Sequence, residues 1–314
     1  MPTALITGIL GQDGGYLTEQ LQADGWAVHG LASATDNAAG VAGATIHGGD
    51  LTDAAAMASV LAKVEPDVVF NLAGISSVTR SWADPLATTR VNALGAITLL
   101  EAVRRRQDVA GRQIRFVQAS SAEIFGDPNI APQTENTPIR PINPYGATKA
   151  FAHQAVGLYR QRGLFAVSLI LYNHESPRRP ATFVTGKIAA GVAAIAEGRQ
   201  RRLTLGNLEA RRDWGWAPDF VRGMRLAAAA PEPNDYILAT GQTRSVRDFT
   251  RAAFAHIGVS DYESYVDIDK GLFRPVDSAE LVGDASRARH ELGWAPTKAF
   301  GEIVAAMVEG FKTT

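Results

Sequence analysis

Cysteine is missing from all 314 residues. Its absence excludes disulfides, thiolate nucleophiles and thiolate-bound zinc, and no metal site is expected. Neither sign of charge dominates: 31 lysines and arginines stand against 32 aspartates and glutamates, a formal net charge of −1. That balance excludes the overall basic field that draws a protein onto nucleic acid or an anionic membrane. Two basic runs, Arg104–Arg106 and the RQRR at 199–202, read as solvated helix ends. No apolar run reaches the roughly 20 residues of a transmembrane helix, so no membrane partner is expected. Strand-like sequence begins at Thr3, which leaves no room for a secretory leader, and a cytoplasmic location is the expectation.

What is present is ordinary globular composition, 46% hydrophobic and 20% charged. Short β-rich runs alternate with longer helical segments through the first half. Ala4–Thr7, Trp26–Leu31, Thr45–His47, "DVVFNLAG", "IRFVQASS" and "FAVSLIL" read as six strands. Helices are expected over Tyr16–Ala23, from the cap Asp53 through Leu61, from Asp84-Pro85 to about Arg106, and from Pro144 to Arg162. This alternation predicts an α/β fold, a Rossmann-type doubly wound parallel sheet covered on both faces. After Tyr172 the sequence turns polar, basic and proline-broken. Residues 1–172 are therefore expected to form the dinucleotide-binding part with the catalytic residues. Residues 173–314 are expected to form a smaller, discontinuous substrate lobe, of which the strand-like "YILAT" returns to the main sheet.

"ITGILGQDGGYL" places Gly8, Gly11 and Gly14 at three-residue intervals between the first strand and the first helix. Glycines there permit a tight turn and close approach of main-chain N–H groups to a pyrophosphate at the helix N-terminus. Asp50 in "GDL", after the third strand, is either an acceptor for the adenine amino group or a lead-in to the next helix. The end of the second strand, "ASATDN", carries neither an acid for the NAD ribose nor an arginine for the NADP phosphate. Ser33 and Thr35 offer only uncharged hydroxyls, followed by Asp36.

Tyr145 and Lys149 stand four residues apart in "PYGATKA" and so share one helix face. An ammonium beside a phenol stabilises the phenolate, lowering a pKa that is ordinarily about 10. Tyr145 would then act as a base toward a sugar hydroxyl, with Ser121 at the neighbouring strand end bonding the same hydroxyl. Glu123, just past that strand in "ASSAEIFG", is a carboxylate that is costly at the tip of a core strand unless something there uses it, or unless it caps the following turn or pairs with a nearby arginine.

The glycine pattern, "NLAG", Ser121, Tyr145 and Lys149 resemble the extended short-chain dehydrogenase/reductase superfamily. More specifically, the chain resembles the GDP-mannose 4,6-dehydratase family. The residues that carry this are "LITGILGQDGGYL", "GDLTD", "ASSAEIFG", "YNHESPRRPATFVTGKI", "LGNLEARRDWG", "FRP" and "ELGW", in order over nearly the whole chain. The resemblance implies a lyase that converts GDP-mannose to GDP-4-keto-6-deoxymannose and water, with a tightly bound nicotinamide cofactor. Ser121, Tyr145 and Lys149 would oxidise C4, and Glu123 would eliminate water across C5 and C6.

By the same resemblance Gly8, Gly11, Gln12, Asp13, Gly14, Asp50, Leu51, Leu72, Ala73, Tyr145, Lys149 and His174 would bind the cofactor. Ser81, Glu123, Asn173, Val184, Lys187, Arg212, Arg274 and Asp277 would bind the nucleotide sugar, Asp277 at the guanine edge. Asp277 stands where the family has the longer glutamate, and Ser121 where threonine is usual. The arginine-rich stretch expected after strand two is replaced by "ASATDN". NADP remains the implied cofactor, with NAD as the alternative, and a homodimer or a tetramer is expected. Two other readings compete: a 4-reductase or epimerase on a related nucleotide sugar, and a non-catalytic nucleotide-sugar sensor.

Overall fold

A computed structural model describes residues 1–33, 41–273, 276, 278 and 280–312. The strands are β1 Thr3–Thr7, β2 Ala27–Ala32, β3 Thr45–Gly48, β4 Val68–Asn71, β5 Arg115–Ala119, β6 Ala166–Leu171, β7 Asn173–Glu175, β8 Leu203–Leu205, β9 Arg211–Trp216, β10 Asp235–Leu238, β11 Thr243–Ser245, β12 Val266–Ile268 and β13 Glu280–Leu281. The helices are α1 Gln12–Ala23, α2 Ala54–Val64, α3 Val78–Ala83, α4 Pro85–Thr89, α5 Gly95–Ala110, α6 Pro144–Gln161, α7 Val184–Ala196, α8 Ala217–Ala229, α9 Val246–His256, α10 Ser286–Leu292 and α11 Phe300–Gly310.

Seven strands form one sheet in the order β10-β6-β5-β4-β1-β2-β3, every pair parallel. Successive residues of a strand point to opposite faces, and both faces here are apolar. Ile6, Phe70 and Val117 pack beneath α1 and α8, whereas Leu5, Val69 and Phe116 pack beneath α2, α5 and α6. That two-sided burial explains why the strands read as nearly unbroken apolar runs. The strand order reverses between β1 and β4, so the crevice beyond their carboxyl ends is where such a sheet binds ligand.

Local signals set the helix ends. The Asp53 side chain accepts from Ala55 N–H and Ala56 N–H, and α2 stops at Glu65, at φ +48°, before Pro66. Asp84 caps α4 by accepting from Ala87 N–H at 2.9 Å. The long helix expected from there departs from uniform α geometry. Five residues, Arg90–Leu94, form a π-helical turn between α4 and α5. Asn92 sits in that turn, buried, with its amide bonded to both the N–H and the C=O of Ile75.

The smaller lobe has its own core of Ile188, Val192, Trp214, Phe249, Phe254 and Met307, supported by the β11-β9-β13 sheet and by β7 on β9. The segment with α8 and β10 leaves it: β10, within the "YILAT" run, pairs in parallel with β6. No helix among the described residues is long and apolar enough to cross a membrane. Nor does any group of three or more His, Asp or Glu among them stand ready to hold a metal ion.

Candidate active site

The glycine-rich turn lies at the switch between β1 and β4. Gly8 adopts φ +70°, and a Cβ there would stand 2.7 Å from Ala73 N, so only glycine lets the two strand ends meet. Gly14 packs as closely, since its Cβ would lie 2.5 Å from Gly8 O. At Gly11 the nearest atom to such a Cβ is Gly8 O at 3.3 Å, which leaves the outer face of the turn open. Gly11 is the N-cap of α1 and supplies no side-chain cap. Gln12, Asp13 and Gly14 take no acceptor for their N–H groups among the described residues. Three free donors at the positive end of a helix, with open backbone beside them, fit a pyrophosphate.

The turn is tied to the smaller lobe. Gln12 Nε2 donates to His174 O at 3.2 Å and Ser176 Oγ donates to Gln12 Oε1 at 2.8 Å. His174 Nε2 lies 2.9 Å from Asp13 Oδ2, and its ring stacks on Phe220. Burial disfavours the charge on both partners, yet each stabilises the other: Asp13 is held below its ordinary pKa and His174 above.

The chain leaves β5 directly into the chemistry. Ser121 caps a short 3-10 turn, Ala122–Phe125, its Oγ accepting from Glu123 N–H at 3.2 Å. Glu123 is half-buried, and its Oε2 accepts from Asn143 Nδ2 at 2.8 Å. The first turn of α6 presses on the same spot, because a Cβ on Gly146 would stand 2.5 Å from Glu123 O. Ser120 Oγ, at the end of β5, is buried without a hydrogen-bond partner in the protein. An orphaned hydroxyl just past the tip of β5 is consistent with a polar ligand there.

Tyr145 and Lys149 share one face of α6 as expected, but their coupling differs from the sequence reading. Burial pushes the Tyr145 phenol up to about 12, the Glu123 carboxylate adds to this, and a hydrogen bond from Ser121 and the charge of Arg179 oppose it. The Lys149 ammonium is drawn elsewhere: Nζ donates to Ala119 O at 2.8 Å and stands 5.9 Å from the Tyr145 ring centroid. Burial lowers Lys149 itself to about 8. In the protein alone desolvation dominates the phenol, and the groups that lower it are Ser121 and Arg179.

The remaining expected site residues differ in burial and bonding. Ser81 is wholly buried; its Oγ donates to Val78 O at 2.7 Å and accepts from Tyr145 N–H at 3.1 Å. It thus fixes the catalytic helix and presents no surface to a sugar. Arg212 is 6% exposed, with Nη1 donating to Arg211 O and Ser278 O at 2.7 and 3.0 Å. It pins the strand to the loop around Ser278. Asp50 is exposed and accepts from Thr52 N–H and Oγ1 through one oxygen, leaving the other outward. The Leu51 side chain is buried against the site of Gly95. Leu72 and Ala73 lie at the end of β4, with Leu72 N–H on Thr7 O and Ala73 N–H on Thr7 Oγ1. Asn173 opens β7, while Val184 and Lys187 occupy the first turn of α7, Val184 exposed and Lys187 half-buried. Thr35, Asp36, Arg274 and Asp277 lie outside the described residues.

Two features escaped the sequence reading. Arg179 forms a buried bidentate pair with Glu175 at 2.7 and 3.1 Å, Thr185 Oγ1 donates to the same carboxylate, and the guanidinium charge reaches Tyr145. Asn143 links Glu123 to α6. The Arg179–Glu175 spacing of four is visible in sequence; its burial beside the tyrosine is not.

Comparison with known proteins agrees with this arrangement. A family model described as GDP-mannose 4,6 dehydratase matches residues 5–307. GDP-mannose 4,6 dehydratase 1 of Arabidopsis thaliana is 42% identical over 98% of this chain and 88% of its own length. The Homo sapiens GDP-mannose 4,6 dehydratase is 38% identical over 97% of this chain and 90% of its own. Among solved structures, a dTDP-glucose 4,6-dehydratase from Streptomyces venezuelae with NAD and TYD bound superposes with a TM-score of 0.85 at 25% identity. That match covers 98% of this chain and 96% of the other. On the family match and these relatives, the chain belongs to the GDP-mannose 4,6-dehydratase family.

Proposed function

We propose that the chain converts GDP-mannose to GDP-4-keto-6-deoxymannose and water, the hydride leaving C4 and returning to C6. The observation that carries this is the carboxylate of Glu123, held by Asn143 beside the Tyr145 helix at the mouth of the sheet. A reductase needs the tyrosine, lysine and serine; an elimination needs in addition a carboxyl group that takes and gives a proton.

A nicotinamide cofactor, when bound, supplies the hydride acceptor and donor of the cycle. The open turn at Gly11, the free N–H groups of Gln12, Asp13 and Gly14, and the orphaned Ser120 hydroxyl fit such a group. Tyr145 takes the O4 proton while Ser121 bonds the same oxygen. Oxidation to the C4 ketone acidifies C5–H, and Glu123 removes that proton and delivers it to the departing C6 hydroxyl, which leaves as water. The proton that Tyr145 took from O4 then balances the one required at C5. Lys149 keeps positive charge near Tyr145 as its phenol loses the proton.

Lys187, Arg212, Arg274 and Asn173 are proposed to receive the diphosphate, and Asp277 the guanine edge. NADP is the proposed cofactor. A homodimer is proposed through the face formed by α4, the π-helical turn after it and α6, where Leu86, Leu94, Phe151 and Leu158 are 82%, 48%, 47% and 61% exposed. Incubation with GDP-mannose, without added reduced cofactor, tests the activity. A product lighter by one water supports dehydration. No product, with turnover only on a keto-sugar plus reduced nicotinamide, would establish a reductase instead.

A further inference from the structure

Asn143 uses both ends of one amide. Its Oδ1 accepts from Gly146 N–H at 2.8 Å and so caps α6, whose first residue is Pro144. Its Nδ2 donates to Glu123 Oε2, also at 2.8 Å. The side chain is 6% exposed, so water offers little competition for either bond. Turning the amide over would set its NH2 against the Gly146 N–H and its carbonyl against the carboxylate; the two bonds fix each other's polarity.

We infer that Asn143 is a positioning residue for the elimination step: it occupies Oε2 of Glu123 and leaves Oε1 as the oxygen that moves the proton. This rests on the acid–base reading of Glu123. The donor has two effects. It satisfies Oε2 with a hydrogen bond, so that this oxygen has no need of another donor. It also stops the carboxylate from rotating, because Oε2 is anchored to the same helix that carries Tyr145. Gly146 adds a second restraint, since it lets that helix lie directly on the Glu123 carbonyl. The step then balances: C5–H breaks toward Oε1, its electron pair forms the C5–C6 double bond, and C6–O breaks. The hydroxyl takes the proton from Oε1 and departs as water, and Glu123 is again a carboxylate.

Other groups in this field come from separate elements. Tyr145 on α6 couples to Glu123, and Tyr145 also senses Arg179 and Asp13. Ser121 bonds the main-chain N–H of Glu123 and leaves the carboxylate alone.

Two variants test the inference. Serine and aspartate both cap helices about as well as asparagine, so Asn143→Ser and Asn143→Asp keep α6 capped. Asn143→Ser is too short to reach Glu123, and Asn143→Asp replaces the donor with a second acceptor. Unchanged KM is expected in both and unchanged Tm in Asn143→Ser, with kcat lower by about tenfold in Asn143→Ser and by more in Asn143→Asp, which should also lose Tm because it sets a second carboxyl group against Glu123. The loss should appear in kcat with KM unmoved, so that kcat/KM falls by the same factor. A residue that only caps the helix would leave kcat in place in Asn143→Ser, which keeps the cap. Wild-type kcat in both variants, with Glu123→Gln inactive, would overturn the inference alone. Wild-type turnover in Glu123→Gln would overturn the reading of Glu123 and this assignment with it.

Discussion

Lys149 Nζ donates to the main-chain oxygen of Ala119 at 2.8 Å, so the ammonium of the catalytic helix is anchored to the tip of β5. The bond sets the distance between the strand that delivers Ser121 and Glu123 and the helix that delivers Tyr145. It also keeps a cation inside a buried site, where burial opposes the charge and lowers its pKa to about 8.

Replacing Lys149 with methionine should therefore raise stability and abolish catalysis together. In the folded protein the lysine titrates near 8, against 10.5 for an ordinary lysine. The unfolded chain binds this proton more tightly, and wild-type stability rises with pH across that interval. Lys149→Met is expected to be more stable than wild type by about 1–2 kcal/mol at pH 7, after allowing for the donor lost to Ala119 O. The advantage should shrink between pH 8 and 10.5, followed by denaturant titration at several pH values. Turnover should fall by roughly 10²-fold or more.

Glu123→Gln keeps the size and the acceptor oxygen for Asn143 but cannot carry the proton. Binding of GDP-mannose should persist within about twofold, while dehydration falls by about 10²–10⁴-fold. Calorimetric binding beside a water-loss assay separates the two quantities. Oxidation at C4 should survive, so a transient rise in reduced-nicotinamide absorbance is expected without product.

Asp13→Asn breaks the buried pair with His174. The raised His174 contributes stability below pH 6.5 and loses it as pH rises through its folded value; the lowered Asp13 contributes above pH 3.8 and loses it on acidification. The wild-type advantage over Asp13→Asn should be greatest between those limits, about 3 kcal/mol, and should decline toward alkaline pH. A Tm difference that stays flat with pH would show that the histidine is uncharged throughout.

The exposed apolar face of α4, the π-helical turn and α6 predicts self-association. Leu94→Glu combined with Phe151→Glu should convert a dimer to monomer in sedimentation, with Tm lowered at equal protein concentration. An unchanged mass would place the interface elsewhere.

Much of the site was legible because its spacing is local. Gly8, Gly11 and Gly14 are close in sequence, as are Ser121 with Glu123 and Tyr145 with Lys149, and one strand or helix fixes each geometry. The sheet was legible for the same reason, since both of its faces are apolar. What sequence could not supply was burial and long-range pairing. The Tyr145–Lys149 spacing told that they share a face, but not that desolvation would dominate the phenol. Ser81 reads as a polar residue near a sugar; only packing shows its hydroxyl beneath Tyr145. Asp13 and His174 are 161 positions apart, and Asn143 before a proline signals a helix start without disclosing what its other end holds.

The return of α8 and β10 bears on how the protein is made. α8 packs on α1 through Phe220, Val221 and Met224, Arg225 pairs with Asp24, and Gln20 Nε2 donates to Pro218 O at 3.1 Å. β10 completes the sheet against β6. While the chain is still on the ribosome, the face of α1 stays bare and β6 remains an open edge until residue 238 has emerged. The half built on the seven-stranded sheet therefore cannot mature as an early, independent unit: its last structural pieces arrive only after part of the smaller lobe has been synthesised.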